Sequence, residues 1–339
     1  TSRMSDTPAS VQQKALRINL DPVRYGTFAE IGAGQEVARN FFRVGGASGT
    51  VAKTSSAYDM AVSDAIYGHA DRYVSRQRLV AMLDREYWLL VDRLGGTRGA
   101  DTALFVFADT VATSSESSKK SCHGWMGVKF QYSPQSEVQE VKLHVRLLDR
   151  HRLQQQETLS KLGVNLIHSC FYRRKDQNDF LNSLFDQIKS DSVAVDVVYF
   201  SGSEFEKFDD VYFNLLLVEK GYSQGCLIDE NGVVQNPQDF LWNKTVLLQR
   251  GFYHPVTNTH LDIFKKAQEQ FQKEFNIKTH ELMGLFEISI NNKVKKTNIT
   301  ALQALSRVKM INELKVPVLV TSFTLFYQLK QFIRISTTS

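Results

Sequence analysis

Cysteine, long apolar runs and net charge are all scarce in this chain, and each scarcity excludes a class of protein. Cysteine occurs at only three of 339 positions, Cys122, Cys170 and Cys226. Their wide, irregular spacing excludes a disulfide framework and a Cys-x-x-Cys metal site. No stretch approaches the roughly 18 apolar residues that a membrane helix needs. Residues 1–10 also lack the apolar core of a signal peptide. We therefore expect a soluble, reduced, cytoplasmic protein with no membrane partner.

The charge balance is nearly neutral for a chain of this length. The formal net charge is +5, with 42% hydrophobic and 23% charged residues. These are the values of an ordinary globular protein, which can bury a large core without disulfides or a structural metal. The small positive charge is compatible with anionic small molecules but does not indicate a nucleic-acid partner.

Length and pattern predict several domains of the α/β type. We expect a disordered tail over 1–15 and an α+β domain over 16–160. This domain should contain a helix over 73–94 that Gly95 and Gly96 end, a strand over 102–108 and a hairpin over 128–148. An α/β segment over 161–240 and a final α/β domain over 241–339 should follow.

The second half of the chain predicts strands and helices in alternation. After a helix over 150–162 that Gly163 closes, we expect strands near 164–171, 193–200, 245–249, 285–290 and 316–321. The run over 193–200 is almost continuously apolar, as in strands that are covered on both faces. Alternation of this kind predicts a parallel sheet with right-handed crossovers, so the fold class is α/β with a Rossmann-like C-terminal sheet.

Two glycine-rich segments near the N-terminus could approach a phosphate. Gly32-Ala33-Gly34 lies between a predicted strand and helix, but the third glycine of a dinucleotide fingerprint is missing. A tight turn and a phosphate site both remain open there. The segment 46–54 departs from a P-loop at Ala47 and Ala52, which leaves a flexible loop or a ligand loop with Lys53 as a phosphate contact.

The most informative motif lies after the predicted strand 245–249. Residues 251–260 read Gly-Phe-Tyr-His-Pro-Val-Thr-Asn-Thr-His. This segment resembles the first signature of the nucleotidylyltransferases, G-x-F-[DN]-P-x-[HT]-x-[GM]-H, and most of all its form in nicotinamide and nicotinate mononucleotide adenylyltransferases. The positions on the pattern are Gly251, Pro255, Thr257 and His260, with Tyr253 as the aromatic. His254 replaces the usual Asp or Asn, and Thr259 replaces Gly or Met.

The resemblance implies a chemistry as well as a fold. Nucleotidyl transfer from a nucleoside triphosphate to a phosphorylated acceptor is expected, with Mg²⁺ and ATP as cofactors. His260 and Thr257 would be catalytic, while Gly251, Tyr253, His254 and Pro255 would bind the cofactor. A glycine permits close approach of a phosphate, and a helix N-terminus offers amide donors to it. No protein metal ligands are expected, and a homo-oligomer is possible.

The whole chain also resembles a group of bacterial proteins with conflicting names. The resemblance rests on the segments FAEIGAGQEVARNFF, over 28–42, and GGASGTVAKT, over 45–54. Some members are called nicotinate-nucleotide adenylyltransferase and others TonB-dependent receptor. The second name implies an outer-membrane barrel, which the alternation of helix and strand does not favour.

Two functions therefore stay open from the sequence. One is an adenylyltransferase-like enzyme, and the other is a non-catalytic nucleotide-binding or scaffold protein on the same fold. The second signature of the superfamily normally lies much further along, so the resemblance implies a C-terminally truncated chain. A Ser/Thr-rich segment ending in Arg or Lys beyond residue 339 would favour the enzyme.

Overall fold

The computed structural model describes residues 9–113, 122–291 and 298–338. Contacts divide the chain into two units. The first runs up to Ala194 and from Val198 to Phe208, and the second comprises Val195–Val197 and Asp209–Ser339. The main border between the units lies between residues 208 and 209, whereas the sequence predicted domain borders at 160 and 240. Both units combine helices with a sheet, which confirms the α/β class.

The first unit contains six strands and six helices among its described residues. In chain order they are α1 Val11–Asn19, β1 Arg24–Ile31, α2 Glu36–Arg43, β2 Val51–Ser55, α3 Met60–Tyr67, α4 Arg76–Arg98, β3 Ala103–Ala112, β4 His123–Gln131, β5 Val138–Leu147, α5 Arg152–Tyr172, α6 Gln177–Leu184 and β6 Val193–Ser201. The sheet order is β2-β1-β3-β4-β5-β6. Strands β2, β1 and β3 are parallel, whereas β3, β4 and β5 are antiparallel neighbours.

Helices cover both faces of the first sheet. Phe105 of β3 packs edge-on against Phe171 of α5, with ring centroids 5.5 Å apart. On the opposite face, a Cβ added at Gly127 would lie 3.1 Å from Leu83 of α4. Gly127 pairs with Ala108, which alternates with Phe105 along β3. Because successive strand residues point to opposite faces, α4 and α5 lie on different sides of the sheet.

Two sequence-based expectations about helices are wrong in this unit. The predicted strand over 164–171 is the second half of α5, which continues through Gly163 to Tyr172. A Cβ at Gly163 would lie 2.4 Å from Cγ2 of Val37, so this glycine allows two helices to approach rather than ending one. The C-terminal half of α5 is buried on almost every side, which hides the 3.6-residue pattern.

The N-terminal expectations also need correction. The predicted tail over 1–15 lies partly outside the described residues, but residues 11–15 begin α1. Ser10 caps this helix by accepting from the N–H of Gln13 at 3.1 Å, and Ile18 is fully buried. The segment 46–54, expected to be a loop, includes most of β2. Helix α4 runs through the glycines at 95 and 96 to Arg98.

The second unit contains a smaller mixed sheet. Its elements are α7 Asp210–Glu219, β7 Gly225–Ile228, β8 Val234–Gln235, α8 Pro237–Phe240, β9 Thr245–Arg250, α9 Asn258–Phe275, β10 Leu282–Ser289, α10 Ala301–Glu313, β11 Val318–Thr321 and α11 Phe326–Thr338. The order is β8-β7-β11-β10-β9. Strands β9, β10 and β11 are parallel, but β7 is antiparallel to β11 and β8 to β7. The expectation of one parallel sheet over 164–339 is therefore wrong, since β6 also lies in the first sheet.

Candidate functional site

The structure brings together the residues that the nucleotidylyltransferase-like motif singled out. All six lie between the C-terminal end of β9 and the first turn of α9, at the edge where parallel sheets bind ligands. They are Gly251, Tyr253, His254, Pro255, Thr257 and His260. The side chains of His254, Pro255 and Thr257 are exposed, whereas Tyr253 is buried.

The ring of Tyr253 occupies the space next to Gly251. A Cβ at Gly251 would lie 2.8 Å from this ring. The ring stacks on Phe286 with centroids 4.5 Å apart, and its hydroxyl donates to the backbone oxygen of Gln249 at 2.5 Å. Burial and the charge of Glu287 raise the pKa of the phenol. The glycine therefore accommodates an aromatic ring of the same loop, in the place where the motif would admit a phosphate.

The side chain of His260 forms part of the N-terminal cap of α9. Its Nδ1 accepts from the backbone N–H of Thr257 at 3.0 Å and lies 2.8 Å from the hydroxyl oxygen of the same residue. The ring packs edge-on against Tyr253, with centroids 5.2 Å apart. These contacts are those of a helix-capping pair. The predicted catalytic role of His260 and Thr257 stays a prediction.

A buried ion pair that the sequence did not reveal lies beside this loop. Arg250 at the end of β9 donates from Nη2 to Oε1 of Glu287 at 2.9 Å and from Nε to Oε2 at 2.5 Å. Glu287 is fully buried and also accepts from the hydroxyl of Thr321 at 2.5 Å. Arg250 further donates to the backbone oxygens of Phe323 and Thr324. The guanidinium of Arg250 is thus engaged by the protein itself.

The corresponding edge of the first sheet carries a buried arginine with polar partners. Arg78 in the first turn of α4 is 1% exposed, and its Nη2 donates to Oδ1 of Asp64 at 2.7 Å. Tyr73 donates its hydroxyl to Oδ2 of Asp64 at 2.9 Å, and its ring lies 5.3 Å from the guanidinium carbon. Thr110, near the C-terminal end of β3, donates to the backbone oxygen of Tyr73 at 2.7 Å. We call Asp64, Tyr73 and Arg78 the Arg78 cluster.

The Arg78 cluster contains buried donors without acceptors. Among the residues that the structure describes, nothing accepts a hydrogen bond from Nε or Nη1 of Arg78. The hydroxyl of Ser63, next to Asp64 on α3, is also buried without a partner within the described ranges. An unpaired buried donor costs about 1–3 kcal/mol, and more when it is charged. Such donors are expected where a ligand completes the hydrogen bonding.

A second polar network adjoins the cluster on the same helix. Glu86 of α4 is 2% exposed and accepts from the hydroxyl of Tyr67 at 2.8 Å. Its other oxygen forms an ion pair with Lys53 of β2. Burial, together with the charge of Glu86, raises the pKa of Tyr67. The sequence suggested Lys53 as a phosphate contact, but its ammonium group binds the Glu86 carboxylate.

Two fully buried carboxyl groups lie on the other face of the first sheet. Glu30 of β1 and Asp109 of β3 are paired residues on parallel strands, and both are 0% exposed. Glu30 accepts from the backbone N–H groups of Val37 and Ala38, at 2.9 and 3.0 Å. Burial raises the pKa of Glu30 to about 7, and burial with the charge of Glu30 raises the pKa of Asp109 well above its usual range. The pair therefore retains a proton at neutral pH.

The position of Glu30 decides between the two interpretations of the Gly32-Ala33-Gly34 turn. The amides at the start of α2 already bind the Glu30 carboxylate, which takes the place that a phosphate has in a dinucleotide fold. Gly32 has φ of 101°, and a Cβ there would lie 1.8 Å from the backbone oxygen of Val111. The glycine is required by a tight turn, as the first interpretation holds.

Little in the sequence indicates the Arg78 cluster. Asp64 and Arg78 lie on different helices, 14 positions apart, and belong to no motif. Arg78 is buried because α3 packs against α4, and α3 was not predicted. Groups of three or more His, Cys, Asp or Glu able to hold a metal ion do not occur within 9–113, 122–291 and 298–338. In those same ranges, every helix is too short or too polar to cross a membrane.

Comparisons with known proteins correct the expected family. No family model and no curated protein matches the chain. Similar solved structures include the competence/damage-inducible protein CihA from Agrobacterium tumefaciens, at 19% identity and TM-score 0.35, covering 48% of this chain and 97% of that one. A CinA superfamily protein from Enterobacter cloacae has 12% identity and TM-score 0.36, covering 50% and 97%. One from Escherichia coli has 13% identity and TM-score 0.35, covering 50% and 95%.

The family assignment expected from the sequence is wrong, since these structures are described as competence- or damage-inducible proteins of the CinA superfamily, and neither as nucleotidylyltransferases nor as TonB-dependent receptors. The motif residues explain why the pattern misled, because Tyr253 fills the space beside Gly251 and His260 caps its own helix. At TM-scores of 0.35 and 0.36, the similarity carries no argument about the activity of this chain.

Proposed function

We propose that this chain binds a small molecule with a terminal oxyanion, a phosphate or a carboxylate, at the Arg78 cluster. The observation that supports the proposal is the pair of buried guanidinium donors, Nε and Nη1, that have no acceptor among the described residues. Arginine binds planar or tetrahedral oxyanions through several N–H groups at once. Nucleoside triphosphates and phosphorylated small molecules, the partners expected from the sequence, belong to this class.

The position of the cluster supports the same conclusion. Tyr73, just before α4, accepts a hydrogen bond from Thr110 near the C-terminal end of β3, and β1, β2 and β3 are parallel. Open α/β sheets bind ligands at this edge. Asp64 neutralises part of the positive charge and fixes the guanidinium plane through Nη2. The remaining donors are thus held in place before a ligand arrives, which reduces the entropy cost of binding.

Calorimetry with matched variants tests the proposal. The probes are ATP with Mg²⁺, AMP, inorganic phosphate and acetate, with adenosine as the uncharged probe. Arg78→Lys keeps a cation beside Asp64 but removes two donors, so the affinity for the bound anion should fall about tenfold or more. Arg85→Gln is the control, because Arg85 lies on the same helix over the exposed ring of Trp88.

The probes also distinguish the ligand classes. Binding of phosphates without acetate assigns the phosphate class, and the reverse result assigns the carboxylate class. Equal anion affinity in the Arg78→Lys and wild-type proteins would reject the cluster as the site. A loss of ATP affinity in His260→Ala, with Arg78→Lys unaffected, would place the ligand at the loop after β9 instead.

A further inference from the structure

A cavity lies along α4, and its lining does not include the residues of the Arg78 cluster. It has a volume of about 240 Å³ between α4 and the first two strands of the sheet. Its polar wall includes Lys53, Glu86 and Arg93, and its apolar wall includes Leu89, Leu90 and Leu94. Arg78 and Arg93 are 15 positions apart, which is about 22 Å along a helix axis. The two sites are therefore separate.

The charges that line this cavity do not cancel. The Lys53 ammonium and the Glu86 carboxylate form an ion pair, and Tyr67 satisfies the other oxygen of Glu86. Arg93 has no carboxylate or other hydrogen-bond acceptor within the described part of the chain, so one positive charge remains at the rim. The three leucines lie on the same helix as Arg93 and form an apolar surface next to this charge.

We propose that the cavity binds an amphipathic monoanion, a short aliphatic carboxylate with its headgroup at Arg93 and its chain against Leu89, Leu90 and Leu94. Charge complementarity determines the headgroup, because a guanidinium forms charge-assisted hydrogen bonds with a carboxylate. The apolar wall determines the tail, since burying methylene groups there removes apolar surface from water. A small, highly solvated anion such as inorganic phosphate can contact Arg93 but has no apolar chain to place against the leucines.

Titration of the full chain with hexanoate, hexan-1-ol and inorganic phosphate tests the proposal. Hexanoate should bind and perturb the resonances or hydrogen exchange of α4 around residues 89–94. Arg93→Gln should weaken hexanoate binding about tenfold, the usual effect of losing one charge-assisted hydrogen bond. Leu94→Asn tests the apolar wall and should weaken hexanoate in the same way. Arg85→Gln should bind hexanoate as the wild type does, because Arg85 lies over Trp88 and does not line the cavity.

Each alternative outcome overturns the assignment. Equal perturbation of residues 89–94 by hexan-1-ol and by hexanoate would remove the role of Arg93, and an equal perturbation there by phosphate would remove the role of the leucines. Absence of hexanoate binding would reject the cavity as a site. A loss of hexanoate binding in Arg78→Lys would show that the anion occupies the Arg78 cluster instead. Thermal unfolding of each variant establishes that it folds, and Arg93 is exposed, so its replacement leaves the core intact.

Discussion

Replacing Asp109 by Asn should make the first sheet less sensitive to pH. Burial raises the pKa of Glu30 from 4.5 to about 7, and the pKa of Asp109 rises as well. Between these values, the folded chain holds a proton that the unfolded chain has released. The contribution of Glu30 to the free energy of unfolding is therefore fully present below about pH 4.5, and it is lost as the pH rises through 7. At about 1.4 kcal/mol per pKa unit, the loss from Glu30 alone is on the order of 3 kcal/mol.

The variant removes a carboxyl group that is protonated in the folded chain and ionised in the unfolded chain, with little change in the shape of the side chain. An asparagine at 109 can donate an N–H to the Glu30 carboxylate and cannot ionise. An asparagine binds no proton in either state, so the part of the pH dependence that comes from Asp109 is lost, whereas burial still raises the pKa of Glu30. The loss of stability between about pH 5 and pH 8 should shrink to roughly half of the wild-type loss.

Hydrogen exchange read out by mass spectrometry is the suitable assay. It reports β1 and β3 separately from the second unit, which matters because a chain of two units need not unfold in one transition. Protection factors, corrected for the intrinsic pH dependence of exchange, should decrease with rising pH in the wild type. Glu30→Gln is the control that removes the titration of Glu30. The amide of glutamine has one oxygen, so it can accept from only one of the N–H groups of Val37 and Ala38. Identical pH dependence in Asp109→Asn and the wild type would refute the raised pKa of Asp109.

Three further changes test the packing and the second unit. Gly163→Ala should cost about 1–3 kcal/mol by thermal unfolding, because its Cβ overlaps Val37; an unchanged Tm would contradict the close approach of α2 and α5. Arg250→Met should cost about 3–5 kcal/mol by leaving the Glu287 carboxylate buried without its cation; a neutral effect in urea unfolding would argue against a buried ion pair. His260→Ala should cost about 0.5–2 kcal/mol as a lost helix cap, with ATP binding unchanged; a stability-neutral loss of ATP binding would restore the catalytic prediction.

Local patterns predicted many elements but not the sheet to which each belongs. The apolar run over 193–200 forms β6, as expected, but in the first sheet rather than the second. The predicted strands at 245–249 and 285–290 correspond to β9 and β10. The strand predicted over 164–171 failed because a helix that is buried all round has no polar face. Pairing partners are set by contacts distant in sequence, which a local pattern does not contain.

The candidate site was harder to predict for a related reason. The motif over 251–260 has the spacing of a phosphate loop, but the orientation of the Tyr253 ring depends on stacking with Phe286 of another strand. Arg78 was an ordinary polar residue of an amphipathic helix in the sequence. Its burial follows from α3, a short helix without a strong periodic pattern. Burial and unpaired donors are properties of the folded chain, and they distinguish this arginine from its neighbours on α4.

The most direct test is a crystal structure with tungstate, a phosphate mimic whose anomalous scattering identifies it. A tungstate ion should lie within hydrogen-bond distance of Nε and Nη1 of Arg78, and it should be absent from crystals of the Arg78→Lys variant grown under the same conditions. An empty Arg78 cluster, with tungstate bound instead at the start of α9 beside Thr257 and His260, would refute the proposed site and return it to the second unit.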